Sequence, residues 1–281
     1  MRVGRWYTLS TQSGSLSTRL SDAKNSVLDR RESSVFVALV AMLVLGLVVD
    51  AANFLTLNNL IRVLRGAAVV AIVGYGMSLL MITAEFDLSV GSLVGITAGL
   101  GAVMISGGFD PVFTILLTVT LAVLYGITQG FLVTKFGLPS LIVTIGTLTL
   151  LRGAHFLLLG GSAVTISTEE AGAVLKAMGG TYRLPFPVAI PFTDATLFTI
   201  PKIQYAVPGI HEETQVFQSF PAQIVWVVVL LVVFHHILFR TTLGQHVRAT
   251  GDNINSVETT GVDPDRIKIA GFAIVAAITA F

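Results

Sequence analysis

The sequence predicts an all-α fold, a polytopic bundle of transmembrane helices in which about seven spans are visible. Of its 281 residues, 53% are hydrophobic and only 12% are charged, about half the charged fraction of soluble domains. Several separate apolar runs are long enough for a helix to cross a bilayer. The formal net charge of +1 indicates no acidic partner such as nucleic acid. The lack of cysteine excludes disulfides, thiolate metal sites and cysteine nucleophiles.

The order of the apolar runs gives the predicted spans. Residues 1–34 are polar and contain no apolar core of a signal peptide, so we expect a cytoplasmic tail before a transmembrane domain over residues 35–281. The last apolar run begins near Ile267, and its 15 residues are too few for a hydrocarbon core about 30 Å thick, so we expect the chain to end inside a helix. The predicted spans are 35–52, 66–83, 88–106, 112–134, 138–159 and 222–239, followed by this truncated one.

Lysine and arginine in the short connecting segments predict the orientation. They lie in the tail, at Lys135 and over residues 240–268, whereas the short segments on the other side hold only Arg62 and Arg65. The long segment of residues 160–221 is not counted, because long loops translocate regardless of charge. Because positive residues concentrate on the cytoplasmic side, this bias places the N-terminus inside.

Residues 160–221 then form a long extracytoplasmic segment. Its prolines prevent a regular spanning helix through the second half, and a short helix is expected over residues 171–178. The segment is either a docking surface for an extracytoplasmic partner or a plain connecting loop.

Two carboxylates, Glu85 and Asp87, stand between apolar runs in the hairpin of the second and third spans. A carboxylate left in hydrocarbon costs about 2.5–3.5 kcal/mol even on lenient insertion scales, so both must reach water, a partner or a helix end. Asp87 immediately precedes the third span, and we expect it to cap that helix. One interpretation is a capped, tightly packed hairpin; the other is a part of a translocation path.

Glycines recur at a spacing of four in two spans. Gly95 and Gly99 continue a stripe from Gly91 in the third span, and Gly126 and Gly130 lie in the fourth. This spacing puts the glycines on one helix face, where they let another membrane helix approach closely.

The fifth span carries the polar residues Thr144, Thr147, Arg152 and His155. Hydroxyls at this depth usually bond to the preceding turn of their own helix. Arg152 lies near the outer end of the span and shares a face with His155. It is either a pore-lining residue or an interfacial anchor.

The cytoplasmic segment of residues 241–266 is polar and rich in glycine. We expect two short helices separated by glycine turns and a contact with a cytoplasmic partner.

The chain has no recognisable energy source of its own. None of its lysines stands in a phosphate loop, and the ionisable residues that approach membrane depth each have an interfacial explanation. Hydrolase and metalloprotease motifs are absent as well, so we expect no metal site.

Three stretches resemble one transporter family. FDLSVGS at Phe86–Ser92 is similar to a segment of the permeases of bacterial ribose-type ABC sugar importers, which are related to the branched-chain amino-acid permeases. LPSLIVTIGT at Leu138–Thr147, followed by Leu151-Arg152-Gly153, resembles the fifth span of that family. Residues 242–262 resemble its inner loop, which docks on the ATPase subunit. The matches occur in order and cover most of residues 54–281.

The resemblance implies a non-enzymatic permease subunit of the bacterial inner membrane. The solute would be a monosaccharide or similar small polar molecule, and ATP and Mg²⁺ would bind a separate ATPase subunit rather than this chain. The other implied partners are a second permease copy or a paralogue, a solute-binding protein and membrane lipid. The implied path residues are Glu85, Asp87, Ser89, Gly91, Thr144, Thr147 and Arg152, and those of the coupling loop are Gly244, Gly251, Asn253 and Gly261.

The sequence departs from the family pattern just before the first motif. Ala84-Glu85-Phe86 stands where family members commonly have Gly-Gly-Ile, which adds a carboxylate. Two functions of other classes also remain open: a self-contained secondary carrier or channel, and a membrane scaffold.

Overall fold

The computed structural model describes residues 31–167, 172–183, 186–189, 196–201, 203–205, 215–217, 219–259 and 261–281. Of the tail predicted over residues 1–34, residues 1–30 lie outside the described residues. The chain divides into two compact units, and residues up to Asn59 belong to the first. Every site discussed below lies in the second unit.

Helices dominate the described residues, and five of them are long and apolar enough to cross a membrane: Ser33–Phe54, Leu57–Ile82, Pro111–Lys135, Ser140–Leu159 and Ala222–Arg240. The prediction of a polytopic helical membrane protein is thereby confirmed, but the predicted count of seven spans is not. The helices are α1 (Arg31–Phe54), α2 (Leu57–Ile82), α3 (Val90–Ser106), α4 (Pro111–Lys135), α5 (Ser140–Leu159), α6 (Gly172–Gly179), α7 (Ala222–Arg240), α8 (Thr242–Asp252), α9 (Ile254–Thr259) and α10 (Pro264–Ala280).

Helices α3 and α10 account for the difference in the span count. Each has 17 residues, which corresponds to roughly 26 Å of helix axis and falls short of a core about 30 Å thick. The residues before α3 that the sequence pattern assigns to a helix are irregular instead. Their path is described with the candidate site.

Local side-chain chemistry determines where several helices begin. The Asp110 side chain accepts the backbone N–H of Phe113 at 2.9 Å, and Pro111 occupies the first helical position of α4. Asp263 and Pro264 do the same for α10, with Asp263 accepting the N–H of Asp265 at 3.0 Å. Both starts follow the rule that an acceptor before the helix and proline at its first position satisfy the unpaired amides there.

Short strands form in residues 160–221, which departs from an all-α fold. Three two-stranded antiparallel sheets pair β1 (Thr181–Arg183) with β6 (Ser219–Pro221), β2 (Phe186–Ala189) with β3 (Thr196–Ile200), and β4 (Ile203–Tyr205) with β5 (Gln215–Phe217). The short helix expected over residues 171–178 is confirmed as α6.

Helix α6 is held against α7 by two side chains. Trp226 Nε1 donates to the Ala177 carbonyl at 2.9 Å, and Gln223 Nε2 donates to the Gly179 carbonyl at 2.8 Å. These bonds satisfy carbonyls at the end of α6 that have no partner within the helix.

Helices α4 and α10 pack in close contact. A Cβ atom placed on Gly126 would lie 2.5 Å from the Phe272 carbonyl oxygen, and one on Gly130 would lie 2.7 Å from Ile269 Cα. The two backbones therefore touch along the glycine stripe, as expected of membrane helices that pack through small residues.

Two apolar clusters attach the end of α2 to this pair. Leu80, Val133, Val143, Phe272 and Val275 form the first. Leu79, Val247 and Ile267 form the second, which joins α2, α8 and α10. Large apolar side chains that remain exposed, such as Leu116 and Leu157, lie on the spanning helices, where they suit a surface that faces lipid.

Candidate functional site

The candidate site is built around residues 83–89, here called the α2–α3 segment. The segment begins at one end of the helix bundle, which we call the α8 end. At this end α2 and α4 terminate, α10 begins, and α8 packs against α2 and α10. Lys135 at the end of α4 pairs with Asp265 at the start of α10 at 2.7 Å. A Cβ atom on Gly251 of α8 would collide with the Ile82 carbonyl, the last of α2.

From the α8 end, the α2–α3 segment runs back into the bundle. Ser89 Oγ accepts hydrogen bonds from Tyr125 OH at 2.8 Å and from Gln129 Nε2 at 2.9 Å. These α4 residues precede Lys135 by ten and six positions, or roughly 15 and 9 Å along the axis. Helix α3 therefore begins near the middle of α4, and irregular backbone crosses the remaining distance.

Burial alternates along the segment. Thr83, Glu85, Asp87 and Ser89 are buried, whereas Ala84, Phe86 and Leu88 are exposed. The chain thus turns its polar side chains toward the protein and its apolar ones outward. Irregular backbone is tolerated at membrane depth only where protein or a cavity surrounds it, and this arrangement meets that condition.

Two hydrogen bonds, at Thr83 and at Phe86, support the first half of the segment. Thr83 Oγ1 donates to the Leu80 carbonyl at 2.7 Å, and the Phe86 N–H donates to Ser140 Oγ of α5 at 3.3 Å. Ala84 adopts φ +62°, a left-handed conformation that costs a non-glycine residue roughly 1–3 kcal/mol. Surrounding contacts hold this turn in place.

The expectation that Asp87 caps α3 is wrong. Ser89 occupies the N-cap position, and no side chain caps the helix. Asp87 Oδ1 accepts both the N–H of Ser89, at 2.8 Å, and its hydroxyl. Ser89 donates its hydroxyl to that carboxylate, and Tyr125 and Gln129 take both acceptor lone pairs of Ser89 Oγ, so none remains for an amide of α3.

Asp87, Ser89, Tyr125 and Gln129 form one buried polar network. Asp87 and Gln129 are each 1% exposed and Ser89 is fully buried. Gln129 Oε1 has no hydrogen-bond partner in the described part of the chain. The sequence pattern assigns no role to Tyr125 or Gln129. The one signal for Gln129 is that a polar glutamine lies on the same face of α4 as Gly126 and Gly130.

Glu85 forms an ion pair with α10. Its Oε1 lies 2.6 Å from Lys268 Nζ, and the two side chains are 11% and 18% exposed. The Glu85 carboxylate thus has a partner, which explains how it is accommodated below the surface.

A cavity of about 400 Å³ lies between α3 and α5; we call it the α3–α5 cavity. Gly91 and Arg152, both predicted path residues, line it together with Ser92 and His155. Thr144 and Thr147 do not: Thr144 is fully buried, and Thr147 Oγ1 donates to the Val143 carbonyl at 3.0 Å. Leu88, Gly95 and Leu148 complete the lining.

The polar groups of this cavity are a guanidinium, an imidazole and a hydroxyl. Arg152 is exposed and forms no ion pair with any described residue. His155 Nδ1 is buried and unpartnered among the same residues. Arg152 can only donate hydrogen bonds, whereas the neutral imidazole and the Ser92 hydroxyl can each donate and accept. These groups therefore suit a small polar solute.

Gly95 and Gly99 of α3 face α5. A Cβ atom on Gly95 would lie 3.7 Å from His155 Nδ1, and one on Gly99 would lie 3.2 Å from it. Small residues here leave room for the imidazole, so the stripe shapes one wall of the α3–α5 cavity.

The segment predicted as a coupling loop forms two short helices, α8 and α9, but the glycine turns are placed differently from the prediction. Gly244 and Gly251 lie inside α8, and Asn253, in extended conformation, separates α8 from α9. Only Gly261 occupies a turn, with φ +81°.

Comparison with known proteins identifies the family. Residues 59–281 match the model of the branched-chain amino acid transport system permease component. The autoinducer 2 import system permease protein of Photorhabdus luminescens is 28% identical over 247 residues, covering 88% of this chain and 62% of the relative. The ribose import permease protein of Haemophilus influenzae is 26% identical over 245 residues, covering 86% and 64%.

The chain spans about three fifths of the length of these relatives. No solved structure matches it. Because the family model matches most of the sequence, the chain belongs to the family of branched-chain amino acid transport system permease components.

Proposed function

We propose that this chain is the membrane-spanning subunit of an ATP-driven importer and forms the path of a monosaccharide or similar small polar solute. The observation that carries the proposal is the α3–α5 cavity, which combines the polar side chains of Arg152, His155 and Ser92 with a helix that begins inside the bundle. Helices that begin near the membrane midplane with their N-termini at the solute are known from the binding sites of secondary transporters, and the start of α3 has this position.

The energy for transport would come from another subunit. The sequence contains no phosphate loop, so ATP and Mg²⁺ would bind to cytoplasmic ATPase subunits. Helix α8 packs against the last residue of α2 at the α8 end, and α9 follows it in the chain. In the proposed orientation the N-terminus and the α8 end are cytoplasmic, and the ATPase docks on α8.

The proposed importer also implies a solute-binding protein and a second permease. Residues 160–221, with α6 held on α7, would lie outside the cell and receive a solute-binding protein. A second permease, either another copy or a paralogue, would complete the path in the bacterial inner membrane. Two relatives are named for ribose and for autoinducer 2, so labelled ribose is the first monosaccharide probe and autoinducer 2 the second.

Purification from the native membrane tests this assignment. The natural full-length protein, tagged and extracted in mild detergent, is expected to retain a stoichiometric ATPase subunit that mass spectrometry identifies by its phosphate loop. A permease paralogue in the same complex would establish a heterodimer. A protein that is isolated alone and transports solute by itself would contradict the proposal and favour a secondary carrier.

Replacing Arg152 with methionine is expected to reduce uptake of the transported solute by about 10-fold or more. A hydrogen bond from a charged donor contributes roughly 1.5–3 kcal/mol, which corresponds to at least a tenfold change in an equilibrium constant. Uptake into proteoliposomes measures the effect. Arg62→Met is the matched control, because Arg62 is exposed on α2 and does not line the cavity. Equal uptake by the two variants would remove Arg152 from the path.

A further inference from the structure

A continuous series of contacts connects α8 with the α3–α5 cavity. Gly251 of α8 lies against the Ile82 carbonyl, and Ile82 is directly followed by the α2–α3 segment. At its other end the segment supplies Leu88 to the cavity, and the first turn of α3 supplies Gly91 and Ser92. The segment's seven residues therefore connect the contact with α8 to the wall of the solute site.

Side chains attach the α2–α3 segment to the bundle at two levels along the helix axes. Ser89 bonds Tyr125 and Gln129 near the middle of α4. Glu85 bonds Lys268 near the α8 end, one residue after Ile267, which packs against Val247 of α8. The Glu85–Lys268 pair thus joins the segment to α10 beside the place where α8 packs on α10.

We propose that Glu85 and Lys268 are positioning residues that make the α2–α3 segment move together with α8 and α10. A displacement of α8 then reaches Leu88, Gly91 and Ser92 and changes the shape of the α3–α5 cavity. The inference rests on the proposed function, because it supposes that an ATPase moves α8. It assigns the transmission of that movement to the Glu85–Lys268 pair.

The burial of the pair suits this role. With side chains 11% and 18% exposed, either charge left alone would be poorly solvated, so the contact is expected to persist while its surroundings move. The Lys135–Asp265 pair joins α4 to the same helix α10 at 2.7 Å, but its side chains are 48% and 35% exposed. Exposed pairs are screened and contribute little, so Lys135–Asp265 provides a matched control.

The test uses the native complex in proteoliposomes. Glu85→Gln and Lys268→Met each remove the ion pair, the charge-swap double variant Glu85→Lys with Lys268→Glu restores it in reverse, and Asp265→Asn is the control. Solute transported per ATP hydrolysed is the first readout. Because the sequence has no cysteine, Ser92→Cys supplies a second: the reaction of the introduced thiol with a thiol reagent, with and without ATP.

We expect Glu85→Gln and Lys268→Met to lower solute transported per ATP by about 10-fold, a typical size for coupling between sites. ATP hydrolysis continues, and the ATP-dependent change in reactivity of the thiol introduced by Ser92→Cys is lost. The charge-swap variant recovers both, and Asp265→Asn changes neither. If a single variant does not fold, the folded charge-swap variant decides: normal coupling supports the proposal and lost coupling overturns it.

Normal coupling in Glu85→Gln would overturn the inference while leaving the importer assignment intact. An unmodified complex that shows no ATP-dependent uptake would instead refute the proposed function, and this inference with it. The two failures are therefore distinguishable by the unmodified protein alone.

Discussion

Replacing Gly126 with valine is expected to prevent α4 and α10 from packing, with a loss of stability of about 3 kcal/mol or more. The new Cβ atom would lie 2.5 Å from the Phe272 carbonyl oxygen and 2.8 Å from Ala276 Cβ. Overpacking typically costs roughly 1–3 kcal/mol, and here one of the opposing atoms belongs to helix backbone, which cannot rotate away. The thermal midpoint of the purified protein and its monodisperse fraction in detergent measure the effect.

Gly146→Val is the matched control for this substitution. Gly146 also lies inside a spanning helix, α5, but a Cβ atom there would meet nothing within 4 Å. Its valine variant is expected to keep nearly the midpoint of the unmodified protein. Similar midpoints for the two variants would mean that α4 and α10 are not in backbone contact.

Replacing Ser89 with alanine is the second change with a large expected effect. It leaves the Tyr125 hydroxyl, the Gln129 amide and the Asp87 carboxylate without the hydroxyl that joins them. Each buried group without a partner costs roughly 1–3 kcal/mol, and a charged one costs more. We expect a destabilised α3 start and at least a 100-fold loss of uptake, equivalent to about 2.7 kcal/mol.

Ser78→Ala provides the comparison for Ser89→Ala. Ser78 is exposed on α2, and its hydroxyl donates only to the Gly74 carbonyl of its own helix at 2.7 Å. Removing this bond is expected to change neither the thermal midpoint nor uptake of the monosaccharide probe measurably. If Ser89→Ala behaved like Ser78→Ala, the polar network would have no part in holding the α2–α3 segment.

The sequence predicts much of the architecture because the bilayer constrains it. Apolar runs give the long helices, and the spacing of Gly126 and Gly130 gives the face of α4 that packs closely. The partner on that face, α10, lies far along the chain and leaves no local pattern. The strands of residues 160–221 are only three to five residues long and lie in a proline-rich segment, so neither periodicity nor length indicates them.

The candidate site is only partly predictable for a similar reason. Arg152 and Gly91 stand out as polar and small residues in apolar runs, and the structure brings them to one cavity. Glu85 stands out as a charge, but Lys268, its partner, is 183 positions away. The prediction that Asp87 caps α3 is wrong because Ser89 is held by Tyr125 and Gln129 of α4. A local sequence pattern cannot reveal these contacts with another helix.

The most direct test of the central proposal is uptake of the monosaccharide probe into proteoliposomes under two sources of energy. The native complex, supplied with its solute-binding protein, is expected to accumulate solute when ATP is present at the face that carries α8. Ionophores that collapse proton and sodium gradients should leave this uptake unchanged. Uptake by the isolated protein that needs no ATP and stops when the ion gradients collapse would contradict the proposal.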